Sequence, residues 1–137
     1  MSAALNKEIV QDFIRATWAR DADRAAPLMC DDSTHWTCGR LPRFTHLWTK
    51  AEFCALLRSE SPFKENLRLT IGQCIAEGDG VALEVVGEGV VASTGKLYRN
   101  TYCFIFTLRE GKIAKIRQYM DTQHMDDVLP LPPRTGT

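Results

Sequence analysis

The sequence predicts a single α+β domain in which helices come first and an antiparallel sheet follows. Three observations carry that expectation. Apolar residues recur at helical spacing through the first third of the chain, and the period falls to two from Asn66 onward. The runs of period two are joined by short links that contain glycine. A length of 137 residues suits one domain with one core.

The first helix is carried by Leu5, Ile9, Phe13 and Ala16, with Val10, Ile14 and Trp18 beside them, a broad apolar stripe. Asp21 can cap a short second helix through Ala25 and Leu28. The stretch "CDDSTHWTCGRLP" begins as a turn and continues as a short strand ended by Gly39 and Pro42. In "TKAEFCALLRS", Thr49 and Glu52 form a capping box ahead of Phe53, Leu56 and Leu57. Four runs follow, "NLRLTIGQCIAE", "VALEVVGEGVV", "KLYRNTYCFIFTLR" and "KIAKIRQYM", which the links "GD", "STGK" and "REGK" join as a meander. The expected domain is 1–129. Residues 130–137, rich in proline, are expected to form a loose tail.

Composition narrows the function classes. Apolar residues make up 45% and charged residues 25%, and 17 basic residues balance 17 acidic ones. No basic stripe invites nucleic acid or a membrane surface, and no apolar run is long enough for a membrane span. The N-terminus lacks the pattern of a secretory signal. Five scattered cysteines without a C-x-x-C fit reduced thiols and a cytoplasmic location. With three histidines, no close His–His pair, and His35 and Cys38 pointing to opposite sides of a strand, neither a metal nor another cofactor is expected.

Short turns set strand register, and register sets faces. A turn at Glu110-Gly111 pairs Leu108 with Ile113, Ile105 with Ile116 and Cys103 with Gln118. A turn at Thr94-Gly95 pairs Val86 with Cys103, Glu88 with Thr101 and Glu84 with Ile105. One face then gathers Glu84, Glu88, Thr101, Cys103, Gln118 and Met120 among apolar residues. The other gathers Tyr102, Phe104, Phe106, Lys115, Arg117, Tyr119 and Asp121. Both are apolar in the middle, so both need a cover. The helices are expected over the first face, which then lines a pocket. A second copy of the chain is expected over the face with Tyr102, Phe104 and Phe106. The reverse arrangement stays open.

The order of elements, with "LYRNTYCFIFTLREGKIAKIRQYMDT" and "CDDSTHWTCGR", resembles the SnoaL-like branch of the NTF2-like fold over about Leu5 to Leu129. The resemblance implies an NTF2-like cone, with N-terminal helices packed on a curved four- to six-stranded antiparallel sheet. It also implies a homodimer and acid–base chemistry on small lipophilic molecules. Relatives include ketosteroid isomerases, polyketide cyclases and limonene epoxide hydrolases, beside proteins without catalysis. Carried over from the epoxide hydrolases, the Arg falls at Val86, its Asp at Glu88 and the last-strand Asp at Gln118. The Tyr falls at His35 and the Asn at Thr37, so one carboxylate is kept and the charged pair is not. A ketosteroid isomerase pattern, by contrast, asks for one carboxylate base and a neutral donor.

The candidate catalytic residues are Glu88 as base and His35 as donor. Gln118, Thr101, Thr37, Trp18, Met120 and Cys103 are the candidate substrate-binding residues. Glu88 in apolar surroundings would have its pKa raised, whereas at the rim beside Arg99 it would be solvated. His35 can donate to a developing oxyanion or be satisfied by backbone. Asp121 can cap a final helix or, through a bulge, turn into the pocket. Two readings of function follow. One is a cofactor-independent isomerase, cyclase or dehydratase acting on a lipophilic substrate. The other is a non-catalytic ligand-binding or dimerisation domain.

Overall fold

The computed structural model describes residues 2–42 and 45–130; the expected tail, from residue 131 on, lies outside them. Helix α1 spans Ala3–Trp18 and starts where the Ser2 hydroxyl accepts from the Leu5 N–H at 3.1 Å. It buries Asn6, Val10, Phe13, Ile14 and Ala16, the stripe that the spacing predicts. The helix stops at Arg20, which takes a left-handed backbone (φ 56°) so that Asp21 N–H reaches back to Ala16 O at 2.9 Å. Asp21 then caps α2 (Ala22–Ala25), which runs into a 3-10 turn at Ala26–Leu28.

Strand β1 (Met29–Thr37), the short β2 (Leu47–Thr49) and helix α3 (Lys50–Arg58) follow, with Thr49 and Glu52 making the capping box. Strands β3 (Arg68–Glu77), β4 (Gly80–Val90), β5 (Leu97–Arg109) and β6 (Lys112–Met120) form the meander, and α4 (Thr122–Val128) ends it. The six strands make one open sheet in the order β2-β1-β6-β5-β4-β3. All neighbours are antiparallel except β1 and β6, which run parallel. This is the expected α+β architecture of helices on an open sheet.

Register departs from the sequence expectation in three places. Between β4 and β5 the connection covers residues 91–96 and not two, so Val86 pairs with Thr101, Glu88 with Arg99 and Glu84 with Cys103. That shift is even and leaves the faces unchanged. Between β5 and β6 it is odd. Leu108 pairs with Ile113 as expected, but Thr107 then pairs with Lys115 and Phe106 with Ile116, so Ala114 is the extra residue of a bulge. From there on, Ile116, Gln118 and Met120 share the face of Phe104 and Phe106. A third irregularity, between Ile71 and Cys74, turns Leu69 and Ile71 the same way as Val85.

The helices lie over the aromatic face, not over the face of Glu88. Val81, Leu83, Val85, Tyr98, Tyr102, Phe104, Phe106 and Leu108 are all buried within the chain. The Phe13 ring stacks on Phe53 at 5.9 Å and meets Phe106 edge-on at 6.0 Å. Trp18 meets Tyr102 edge-on at 5.1 Å. Gly87 makes room for that indole, since a Cβ there would stand 2.2 Å from Trp18 Cζ3. The expected dimer contact through Tyr102, Phe104 and Phe106 is therefore corrected. These rings carry the largest apolar area on the sheet, and the chain's own helices remove it from water.

Phe106→Ala should lower the unfolding free energy by about 3–5 kcal/mol in urea denaturation, leaving the mass of the folded species unchanged. Loss of a dimer without that loss of stability would return Phe106 to an interface.

Candidate functional site

Between α1, α3 and the covered face of the sheet lies a cavity of ≈ 180 Å³. Its walls are Phe13, Ile14 and Trp18 of α1, Phe53, Leu56 and Leu57 of α3, Phe63 and Leu67 of the following link, and Phe104 of β5. Polar groups enter it from Thr17, Arg20, His35, Ser61, Asn66, Tyr102 and Gln118. Among the described residues that line it, none is an Asp or a Glu. Apolar walls with a few converging polar groups are the usual make-up of a small-molecule site.

His35 and Gln118 build one polar corner. The parallel pairing sets His35 beside Ile116 and Thr37 beside Gln118, and the bulge at Ala114 turns Gln118 toward the helices. His35 Nε2 lies 2.8 Å from Gln118 Oε1, and Gln118 Nε2 donates to Met120 Sδ at 3.5 Å. With the amide so oriented, the imidazole proton is on Nε2 and donates to Gln118, which leaves the lone pair on Nδ1. Nδ1 is buried and has no partner among the described residues. The Phe53 ring stands 5.0 Å from the imidazole, and His35 is only 5% exposed. Burial pushes its pKa down to about 4, against a smaller opposing effect of the Gln118 bond, so His35 is neutral at physiological pH.

Tyr102 supplies another polar group. Its hydroxyl bonds the hydroxyl of Tyr98, to which Asn100 Nδ2 also donates at 3.0 Å. Burial raises the Tyr102 pKa well above the usual tyrosine range, keeping the phenol protonated. The Thr17 hydroxyl oxygen, in the last turn of α1, is buried and unpartnered as well. Among the described residues, no group of three His, Cys, Asp or Glu side chains is placed to hold a metal ion.

The model of the SnoaL-like domain family matches residues 10–116. The chain belongs to that family. No curated protein sequence matches it. Among solved structures, an NTF2-like protein of Burkholderia xenovorans is 25% identical, with 94% of this chain and 98% of that one covered and a TM-score of 0.76. An LEH-like epoxide hydrolase of M. tuberculosis is 20% identical, covering 93% and 90% with a TM-score of 0.74. A protein of Catenulispora acidiphila with a ketosteroid isomerase-like fold, in complex with trimethylamine, is 18% identical, covering 91% and 94% with a TM-score of 0.74.

In this SnoaL-like domain His35, Gln118 and Trp18 line the cavity. Met120 stands behind Gln118, and Thr37 is buried on the same side of β1 as His35. Glu88, Thr101 and Cys103 lie on the opposite face, as do Glu84 and Val86. Their placement in the pocket is corrected, because Gln118 changes face at the bulge and they do not. Glu88 sits between Arg68 at 3.1 Å and Arg99 at 3.8 Å with its side chain 34% exposed, which is the solvated alternative. The Cys103 thiol is pushed up by partial burial and then by the charge of Glu84, which leaves it a poor nucleophile. Asp121 is the cap of α4, accepting from the His124 N–H at 3.0 Å. Phe53, expected as wall or core, is wall, and Arg20, Tyr102 and the rings of Phe13 and Phe63 are cavity residues that the sequence reading missed. Strict alternation of Tyr98, Asn100, Tyr102, Phe104 and Phe106 along β5 was the available signal for the covered face.

His35 binds its proton less tightly in the folded chain than in the unfolded one. Its contribution to stability is full above the ordinary pKa of 6.5 and is lost as pH falls toward about 4. His35→Asn should remove about 3 kcal/mol from the stability difference between pH 7.5 and pH 4, read by urea denaturation at both. An unchanged difference would place the imidazole in water.

Proposed function

We propose that this SnoaL-like domain binds a small, largely apolar molecule in the cavity and orients it through a hydrogen bond donated to His35 Nδ1. The observation that carries this reading is a buried imidazole nitrogen with a lone pair and no partner, set in an otherwise apolar wall. A ligand hydroxyl or N–H that reaches it recovers a hydrogen bond worth about 0.5–1.5 kcal/mol, and relieves an unsatisfied polar atom besides. Gln118 holds the tautomer by accepting from Nε2, and Trp18, Phe53 and Phe104 supply apolar contact. That none of the lining residues is a carboxylate favours binding over isomerisation, cyclisation or dehydration by a carboxylate base.

2-Naphthol and 2-methoxynaphthalene, matched except for the donor, test this by quenching of tryptophan fluorescence. Wild type should prefer the naphthol by about fivefold, His35→Phe should lose the preference, and Glu88→Gln should keep it. Equal affinity of the two probes for wild type would remove His35 from the reading, and turnover of a substrate lost in Glu88→Gln would restore the carboxylate.

For the other face of the sheet, we propose a second copy of the chain as the cover. Ile75, Ile105 and Tyr119 are 55%, 39% and 37% exposed there, and Arg117 lies 4.5 Å from the centre of the Trp36 ring. Glu84 and Glu88 share that face with Arg99 and Arg117, so two copies related by a two-fold axis can pair opposite charges. Light scattering of Ile105→Glu should report half the mass of wild type; an unchanged dimer would exclude this face. Free cysteines throughout support a reducing, cytoplasmic setting, and among the described residues no helix is long and apolar enough to cross a membrane.

A further inference from the structure

Arg20 is the one formally charged side chain among the described residues that line the cavity. It follows α1, and its left-handed backbone sends the side chain across to the end of α3. There a single nitrogen, Nη2, donates to Leu56 O at 2.7 Å and to Ser59 O at 2.8 Å, with Ser59 Oγ at 3.4 Å. These oxygens belong to the negative end of a helix and offset part of the charge. None of them is an anion. Among the described residues Nη1 and Nε make no hydrogen bond and no carboxylate pairs with Arg20.

The acidic side chains of the next turn are engaged elsewhere. Asp21 accepts from the Arg24 N–H at 3.1 Å, and Asp23 pairs with Arg58 at 3.0 Å. Arg20 is half-buried, and desolvation pushes its pKa down from the ordinary value, the expected response of a cation lacking a counter-charge. On the cavity side its neighbours include the apolar Trp18, Leu56 and Leu57, and on the other side it borders an open surface hollow with Asp21, Asp23 and Arg58. A fixed positive charge with low-dielectric walls draws anions more strongly than the same charge in water.

We propose that Arg20 selects ligands bearing a carboxylate or comparable oxyanion, so that the cavity takes an amphipathic organic anion and not a neutral lipid. The proposal rests on the reading that the cavity binds a small molecule, and it names that molecule's class. Its apolar body lies against the aromatic walls, and its anionic group accepts from the guanidinium donors that the α3 carbonyls leave free. No bond is made or broken at Arg20, which acts in binding alone.

The test compares 2-naphthoate with 2-naphthamide, which share size and shape and differ in charge and in the amide N–H donors, on wild type, on Arg20→Gln and on His35→Phe, where the acceptor for that N–H is gone, by isothermal titration. Wild type and His35→Phe should both bind the naphthoate more tightly, wild type by about tenfold, and Arg20→Gln should lose that preference. A wild type without preference, or a preference that survives in Arg20→Gln, overturns the anion proposal, while naphthamide binding still supports the pocket reading. Failure of wild type to bind either probe overturns both. Should Arg20→Gln not fold, the Arg20 Nε–H resonance of wild type decides. It should shift with naphthoate and stay fixed with naphthamide, and a shift with both or neither overturns the proposal.

Discussion

One extra residue in β6 decides what the cavity contains. Side chains on a strand alternate, so a strand that gains a residue against its neighbour exchanges its two faces from that point on. Ala114 is that residue. Before it, Ile113 faces the helices opposite Leu108; after it, Ile116 faces them opposite Phe106. Without it, Lys115 and Arg117 would point into a core of aromatic rings, and Gln118 would point away from His35. The energetic reason for the bulge is the pair Ile113 and Ile116, both fully buried although three residues apart on one strand. Burying two isoleucines outweighs one broken rung of the ladder.

The covered face follows from the same accounting of apolar area. β5 presents Tyr98, Tyr102, Phe104 and Phe106 on one side, with the smaller or polar Arg99, Thr101, Cys103 and Thr107 on the other. Helices that carry Phe13, Trp18 and Phe53 gain more from the first side than from the second, and the ring contacts at 5–6 Å show where they went. Gly87 belongs to this fit. The indole of Trp18 occupies the place of its missing side chain, so a β4 residue without a Cβ marks where α1 crosses the sheet.

Much of this was legible in the sequence, and the rest was lost for a physical reason. Helix boundaries were legible because caps are local: Thr49 with Glu52, Asp21 and Asp121 each satisfy backbone N–H groups within three residues. The strands were legible from their period. Faces were not, because one extra residue reverses every side chain beyond it, and a short hairpin turn fixes the register only as far as the first bulge. The spacing of three between Ile113 and Ile116, and again between Ile71 and Cys74, is incompatible with a plain strand buried on one side, and both irregularities fall there. The parallel partnership of β1 and β6 left no local mark, since it joins segments some eighty residues apart. His35 and Gln118 therefore meet through long-range topology, while Glu88 was misplaced by face alone.

The polar corner also constrains how the site can vary. His35 donates to Gln118, and Gln118 donates to Met120 Sδ, so the three form a short directional chain whose free end is the Nδ1 lone pair. An apolar residue at 35 would not relieve the site, because Gln118 would then lack its donor. A buried polar atom without a partner costs about 1–3 kcal/mol, which a fold with a choice of residues would avoid. The Thr17 hydroxyl carries the same penalty from α1, on the opposite wall of the same cavity. Asn6 Oδ1 and Ser33 Oγ, outside the cavity, are unpartnered among the described residues as well, so what sets His35 and Thr17 apart is that both line a space a ligand can enter. A molecule that donates to Nδ1 and bonds the Thr17 hydroxyl supplies hydrogen bonds that the fold does not, and its affinity is set by what the chain leaves unsatisfied.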